Sequence, residues 1–272
     1  MVEVIAEIGI NHNGDLANCL NMISAAKVAG ADYVKFQKRD PDVCVPEAEK
    51  SKIRSTPWGD MTYIDYKHRI EFGYDEYKAI DEHCKKLGIG WFVSVWDTNS
   101  VEFMKQFDTS IVKIPSAKAV DFELISACAD VFDSMIISTG MCTIPEIKRI
   151  VAYTESLNCT TSFMHCVSAY PVDTDVLVMD TIDWLKSHSG RAVGYSSHET
   201  EIVTAAATVY KGVRYIERHF TTDKTMWGTD QQASSDLAEM TKLVNYVRLL
   251  ESSLGKRVGV IDCEQPNLEK MR

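Results

Sequence analysis

Two histidines, each ending a short apolar run, are the residues with the most chemistry to offer. His198 closes AVGYSSH at 192–198 and His219 lies within RYIERHFT at 214–221, with the helical stretch Glu201–Tyr210 between them. In a parallel α/β protein that spacing brings both imidazoles to the same end of neighbouring strands, where active sites are built. Imidazole is a common metal ligand and a proton carrier near neutral pH, so the pair points to a divalent-metal site. The competing reading is two hydrogen-bonded histidines at strand ends. Polar residues ending the other strands favour the site.

Those strand ends present, in order, Glu7 with Asn11-His12, then Lys35 and Gln37, Ser94, Lys113 and Ser116, and Ser138-Thr139 with Gly140. His165, Ser168 and Tyr170 follow, then Ser196 with His198 and Glu217 with His219. The polar loop Trp227-Gly228-Thr229-Asp230 comes just beyond. A lone lysine inside a barrel is costly. Two lysines among several hydroxyls make sense around a phosphate or carboxylate, whose oxygens they satisfy. The alternative is that Lys35 and Lys113 pair with Glu7 and Glu217. Arg218 lies on the opposite side of its strand from Glu217 and His219, because strand neighbours alternate, and reads as structural.

The elements that would position these residues alternate along the chain. Strand-like runs fall at 2–9, 32–37, 90–95, 111–116, 134–139, 161–167, 192–197 and 214–220. Helical patterns lie near 16–29, 75–87, 99–107, 121–130, 144–156, 174–187 and 200–210. A last helix carries Leu237, Met240, Val244, Val247 and Leu250 at helical spacing. Gly30, Gly88 and Gly212 sit where helices should stop, and Pro145 where one should start. Eight strands alternating with eight helices predict a single-domain (β/α)8 TIM barrel over 1–255, followed by a tail at 256–272. A doubly wound sheet is the rival, but no G-x-G-x-x-G follows the first strand. The long insertion at 38–73 should form a lid or an oligomer contact. It carries Pro46, Trp58, Tyr63 and Tyr66, aromatics suited to an interface or to covering the barrel mouth.

Composition narrows the functional classes. A hydrophobic content of 45% with 25% charged residues is that of a globular protein with a substantial core. The net charge of −10 argues against a nucleic-acid or anionic-membrane surface. No run approaches a membrane span, and MVEVIAEIG lacks the features of a signal peptide. Eight scattered cysteines without a C-x-x-C pair read as reduced, mostly buried thiols, so a cytoplasmic protein is expected.

The runs EIGINHNG (7–14), VKFQ (34–37), VKIPS (112–116), ISTGM (137–141), MHCVSAYP (164–171), GYSSH (194–198) and ERHFT (217–221) together resemble the sialic acid synthase family. That family includes N-acetylneuraminate, legionaminate and pseudaminate synthases. The match covers nearly the whole chain, in order. The resemblance implies condensation of phosphoenolpyruvate with an open-chain N-acylated sugar aldehyde, giving a nine-carbon 2-keto acid and phosphate. It also implies a divalent metal (manganese, cobalt or magnesium) held by His198 and His219, and a homodimer. Lys35, Lys113, Ser116, Ser138 and Ser196 would hold the phosphate and carboxylate, with Ser94 and Ser168 beside them. Glu7 and Glu217 would stabilise a cationic centre and handle the attacking water, leaving their division of labour open. Gln37, Tyr170 and Asp230 would hold sugar hydroxyls, although Tyr170 could equally be a packing residue before Pro171.

Two departures from the family pattern bear on the sugar. The tail VGVIDCEQPNLEKMR is too short for the family's C-terminal antifreeze-like domain, so its arginine contact is expected to be missing or brought by a separate partner. Strand three ends Ser94-Val95-Trp96-Asp97 where Ser-Thr-Pro is usual, and Ser168 stands where asparagine is common. Three other readings remain open. One is condensation with a phosphorylated aldose, for which Lys38 and Arg39 could serve. Another is a Schiff-base lyase on a strand lysine. The third is a sugar-acid binder without turnover.

Overall fold

Residues of alternate parity on a strand face opposite sides of the sheet, and here the two parities carry different chemistry. The computed structural model describes residues 1–272. Its strands are β1 (Glu3–Gly9), β2 (Tyr33–Lys38), β3 (Ile53–Thr56), β4 (Gly59–Thr62), β5 (Gly90–Val95), β6 (Ile111–Ile114), β7 (Ser134–Ser138), β8 (Thr160–His165), β9 (Val193–Ser197) and β10 (Tyr215–His219). Eight of them close a parallel barrel in the order β1-β10-β9-β8-β7-β6-β5-β2, while β3 and β4 form a separate antiparallel hairpin. The eight predicted strand runs are these eight barrel strands, and the predicted TIM barrel is the observed fold.

The outward parity, including Val4, Ala6, Ile8, Val34 and Phe36, builds a core of 51 buried residues between the barrel wall and its helices. The inward parity begins apolar: Ile5, Phe92, Ile136 and Met164 cluster inside, with Tyr33, Ile111 and Tyr215 packed against them. Two residues further along, the same strands turn polar. The last long helix, Leu237–Ser252, ties down the start of the barrel. Its Arg248 donates to the Val2 carbonyl and to Asp32, each at 2.6 Å.

Helices Leu16–Ala29, Tyr74–Leu87, Phe122–Ala129 and Ile144–Thr154 lie close to their predicted bounds. Gly30, Gly88 and Gly212 end their helices in the left-handed conformation. Pro145 occupies the first turn of its helix. One helix differs. The pattern at 174–187 yields only Thr181–Ser189, preceded by a short turn at Thr174–Val176. Val178 has a φ of 43°, which no right-handed helix accommodates. The chain before it must instead carry Ser168 and Tyr170 across the barrel mouth.

The insertion folds as short helices Pro41–Cys44 and Glu47–Lys50, the β3–β4 hairpin and the helix Tyr63–Ile70. It packs onto the loop after β10. Trp58 and Tyr66 meet the Trp227 ring edge-on at 5.9 and 5.3 Å, and Tyr66 is buried. These aromatics cover the molecule's own rim. No helix is long and apolar enough to cross a membrane. All eight cysteines are free thiols, five of them buried. The tail beyond the last barrel helix is largely exposed and ends in a short helix, Gln265–Met271.

Candidate active site

The C-terminal ends of the barrel strands surround a cavity of about 240 Å³. Its wall includes Glu7 from β1, Lys35 and Gln37 from β2, Ser94 from β5 and Lys113 from β6. It continues with Ser138 from β7, Ser196 from β9, and Glu217 and His219 from β10. Ser116, Ser168, Tyr170 and His198, on the loops that follow, complete the set predicted from sequence. Asp230 is the exception. It lies outside the lining, on the loop beyond β10, where its carboxylate accepts from Thr229 at 2.8 Å.

At the bottom of the cavity the two lysines meet the two glutamates. Lys35 Nζ lies 2.7 Å from Glu7 Oε2 and 3.8 Å from Glu217 Oε2, and Lys113 Nζ lies 2.6 Å from Glu217 Oε1. All four side chains are buried. Burial alone would raise the Glu217 carboxyl, but Lys113 and Lys35 outweigh it and hold Glu217 well below the ordinary carboxylate range. Ser196 adds a hydrogen bond to Glu217 Oε1 at 3.1 Å, while Glu217 Oε2 accepts none. The pairing of lysines with glutamates expected as one alternative is therefore present in the protein alone. It leaves Glu217 as an ionised carboxylate whose Oε2 is buried without a hydrogen bond.

The histidines sit above, 5.9 Å apart between ring centroids. Nδ1 of His198 donates to the Val167 carbonyl at 2.7 Å, which leaves the lone pair on Nε2. Burial, and then the neighbouring His219, push His198 down to about 3, so it is neutral at physiological pH. Nδ1 of His219 is buried without a partner. A neutral imidazole oriented by a backbone carbonyl beside one with an orphaned nitrogen is a donor set that fits a divalent metal. It would be an open site, because no third histidine, cysteine or carboxylate joins to close the shell. Tyr170 covers the pair, its ring 4.2 Å from His198 and 5.8 Å from His219. Partial burial there pushes its phenol up, keeping it a hydrogen-bond donor.

Strand parity explains which polar residues the cavity gains and loses. Cys166, Trp96 and Met141 also line it, although the sequence analysis passed over them as site residues. Counting by twos from Met164 and Phe92 would have found the first two. His165 has the opposite parity, points out of the barrel and hydrogen-bonds to the Leu177 carbonyl at 2.7 Å. Arg218 likewise faces outward, buried, donating to Ser235, Ser197 and the Thr200 carbonyl at 2.6–2.8 Å; its structural reading holds. Asn11 binds the Phe220 carbonyl and Ser234, both at 2.9 Å, and His12 stacks on Phe72 at 4.0 Å. Lys38 faces outward, pairing with Glu71 at 2.8 Å, and so does not reach a substrate in the cavity. Gly140 is where three site side chains converge. A Cβ there would stand 2.4 Å from Ser168 Oγ, 2.7 Å from Cys166 Sγ and 2.8 Å from Ser116 Oγ, so only glycine lets them approach.

The NeuB family model matches residues 22–259. The chain belongs to the NeuB family. Among its relatives, N-acetylneuraminate-9-phosphate synthase of Mus musculus is 34% identical, the match spanning 98% of this chain and 76% of the relative. N,N'-diacetyllegionaminic acid synthase of Legionella pneumophila is 33% identical, over 93% of this chain and 73% of the relative. The crystal structure of N-acetylneuraminic acid synthetase from Leptospira borgpetersenii in complex with citrate superposes with a TM-score of 0.88. It is 29% identical, covering 99% of this chain and 90% of that one. This NeuB family protein is accordingly an enzyme that forms a carbon–carbon bond.

Proposed function

We propose that the enzyme condenses phosphoenolpyruvate with an open-chain N-acylated amino sugar resembling N-acetylmannosamine, giving a nine-carbon 2-keto acid and phosphate. The observation that carries this is the convergence of two buried lysines, two buried glutamates and a ring of serines beneath the paired His198 and His219. Such a floor suits a small polyanion held against a carbonyl. Lys35 and Lys113 would turn part of their charge from the glutamates to the substrate's phosphate and carboxylate, with Ser94, Ser116, Ser138, Ser168 and Ser196 adding hydroxyl donors. Fixing both reactants converts the bond-forming step into an effectively unimolecular one.

The methylene carbon attacks the aldehyde carbon and the aldehyde oxygen takes up a proton. Positive character then develops at C2 of the former enol. Glu7 and Glu217 would lie beside that centre and stabilise it electrostatically. One of them takes a proton as water adds to C2, and the adduct expels phosphate by C–O cleavage, leaving the ketone. His198 and His219 would hold manganese, cobalt or magnesium, which would supply Lewis acidity toward the aldehyde. Tyr170 and Gln37, both in the cavity lining, would hold sugar hydroxyls. The test is sugar-dependent phosphate release from phosphoenolpyruvate by chelator-treated protein, with and without added manganese. Release that needs both sugar and metal, and is lost in His219→Ala, is the expected result. Release unaffected by the sugar would refute the condensation, and release unaffected by chelation would refute the metal.

A further inference from the structure

Arg39 directly follows β2, two residues past Gln37, and its guanidinium takes no part in an ion pair. Glu71, which accepts from the Arg39 backbone amide at 3.1 Å, pairs with Lys38 instead, at 2.8 Å. The guanidinium stacks on the Trp96 ring at 4.0 Å and donates to Gln37 Oε1, while its buried Nε has no partner. Stacking offsets part of the cost of a half-buried cation. An unmet buried donor, however, costs more than an ordinary hydrogen bond returns. Stability alone does not account for this arginine.

What it fixes is the direction of one amide. A guanidinium offers only donors, so Gln37 must turn its oxygen to Arg39. The amide nitrogen is then left on the other side, where Nε2 donates to Glu7 Oε1 at 3.3 Å. Through its other oxygen Glu7 meets Lys35 at 2.7 Å. A flipped amide would set its oxygen against the Glu7 carboxylate and its N–H groups against the guanidinium, two repulsive contacts in place of two attractive ones. The backbone leaves room for the contact: a Cβ on Gly9, whose φ is 55°, would stand 3.0 Å from Glu7 Oε1 and 3.1 Å from Gln37 Nε2. Glu7, Gln37 and Trp96 line the cavity, and Arg39 lies behind them, outside the lining.

We propose that Arg39 is a positioning residue of the condensation, braced by Trp96, which locks the Gln37 amide so that it presents N–H groups, and no carbonyl, to the reactants. One N–H steadies Glu7, and the second is left for an oxygen of the acceptor sugar. Arg39 itself touches neither substrate. This inference rests on the condensation reading, in which Gln37 holds a sugar hydroxyl and Glu7 acts at C2.

The experiment is a double-mutant cycle on the full chain with Arg39→Met, Gln37→Ala and the pair, read as separate KM values for N-acetylmannosamine and phosphoenolpyruvate. Arg39→Met should raise the sugar KM by about tenfold and leave the phosphoenolpyruvate KM within about twofold. In the Gln37→Ala background the same substitution should change the sugar KM by less than about twofold, because the group it acts through is gone. Effects that multiply, a sugar KM unchanged in Arg39→Met, or an equal rise in both KM values overturns the proposal. A second measurement needs no turnover: exchange of the Gln37 side-chain amide protons with water by NMR, the resonances assigned through their absence in Gln37→Ala. If no sugar turns over, the condensation reading has failed, and this exchange judges Arg39 alone. Exchange in the parent about tenfold or more slower than in an exposed glutamine of the same chain upholds the locked amide, and equal exchange overturns it.

Discussion

The lower and upper halves of the barrel interior are made by the same strands, two residues apart. Ile5 gives way to Glu7, Tyr33 to Lys35, Phe92 to Ser94, Ile111 to Lys113, Ile136 to Ser138 and Tyr215 to Glu217. The polar layer is fully buried and the apolar one buried or half-buried, so the difference is not that the polar layer is the more exposed. The lower layer stabilises by removing apolar surface from water, each large side chain contributing roughly 1.5–3 kcal/mol. The upper layer takes four charges out of water, where desolvation offsets most of their mutual attraction. One layer holds the fold and the other is retained for what it does to a ligand.

The comparison is most exposed to a substitution that leaves shape alone. Glu217→Gln should lower kcat by roughly 10²–10⁴, the usual range for losing an acid–base group. It should also destabilise by about 3–5 kcal/mol, because Lys113 is left buried without its carboxylate. Steady-state turnover and urea unfolding check the two effects. In the lower layer, Phe92→Ala should destabilise by about 3–5 kcal/mol through lost burial and a cavity. The fraction that remains folded should keep a near-parental KM. A KM shift as large as that of an upper-layer variant would erase the distinction between the layers.

A smaller effect separates a structural histidine from the cavity pair. His12 is buried against Phe72 and accepts from the Gly14 amide at 3.0 Å, and burial pushes it down to about 3. Between that value and its ordinary 6.5 the unfolded chain binds a proton that the folded protein refuses. Stability should therefore fall as pH drops through this window, by up to about 1.4 kcal/mol per pH unit from this group. In His12→Gln that slope should flatten. An unchanged slope would mean that the imidazole protonates without loss of packing.

Period-two patterning made the barrel legible, because each strand is buried on both sides and bounded by turn residues. The paired histidines, lysines and glutamates were legible for the same reason: parity and strand end place a side chain before any contact is known. What the pattern could not supply depends on contacts distant in the chain. The helix expected from residue 174 is cut short by the backbone at Val178, which follows the loop over the mouth. Lys38 read as a phosphate ligand, yet its parity turns it outward to Glu71. Asp230 read as a sugar ligand, yet its loop stands outside the cavity lining. The insertion folds back onto Trp227 through Trp58 and Tyr66, a pairing that no local pattern encodes.

The most direct measurement is urea unfolding and turnover of Lys113→Met/Glu217→Leu beside the parent. The volumes are nearly conserved and both charges leave together. If the upper layer is kept for chemistry, the double variant should be as stable as the parent or more stable by about 1–4 kcal/mol, with no condensation. A loss of several kcal/mol, or surviving turnover, would show that this ion pair belongs to the scaffold and not to the reaction.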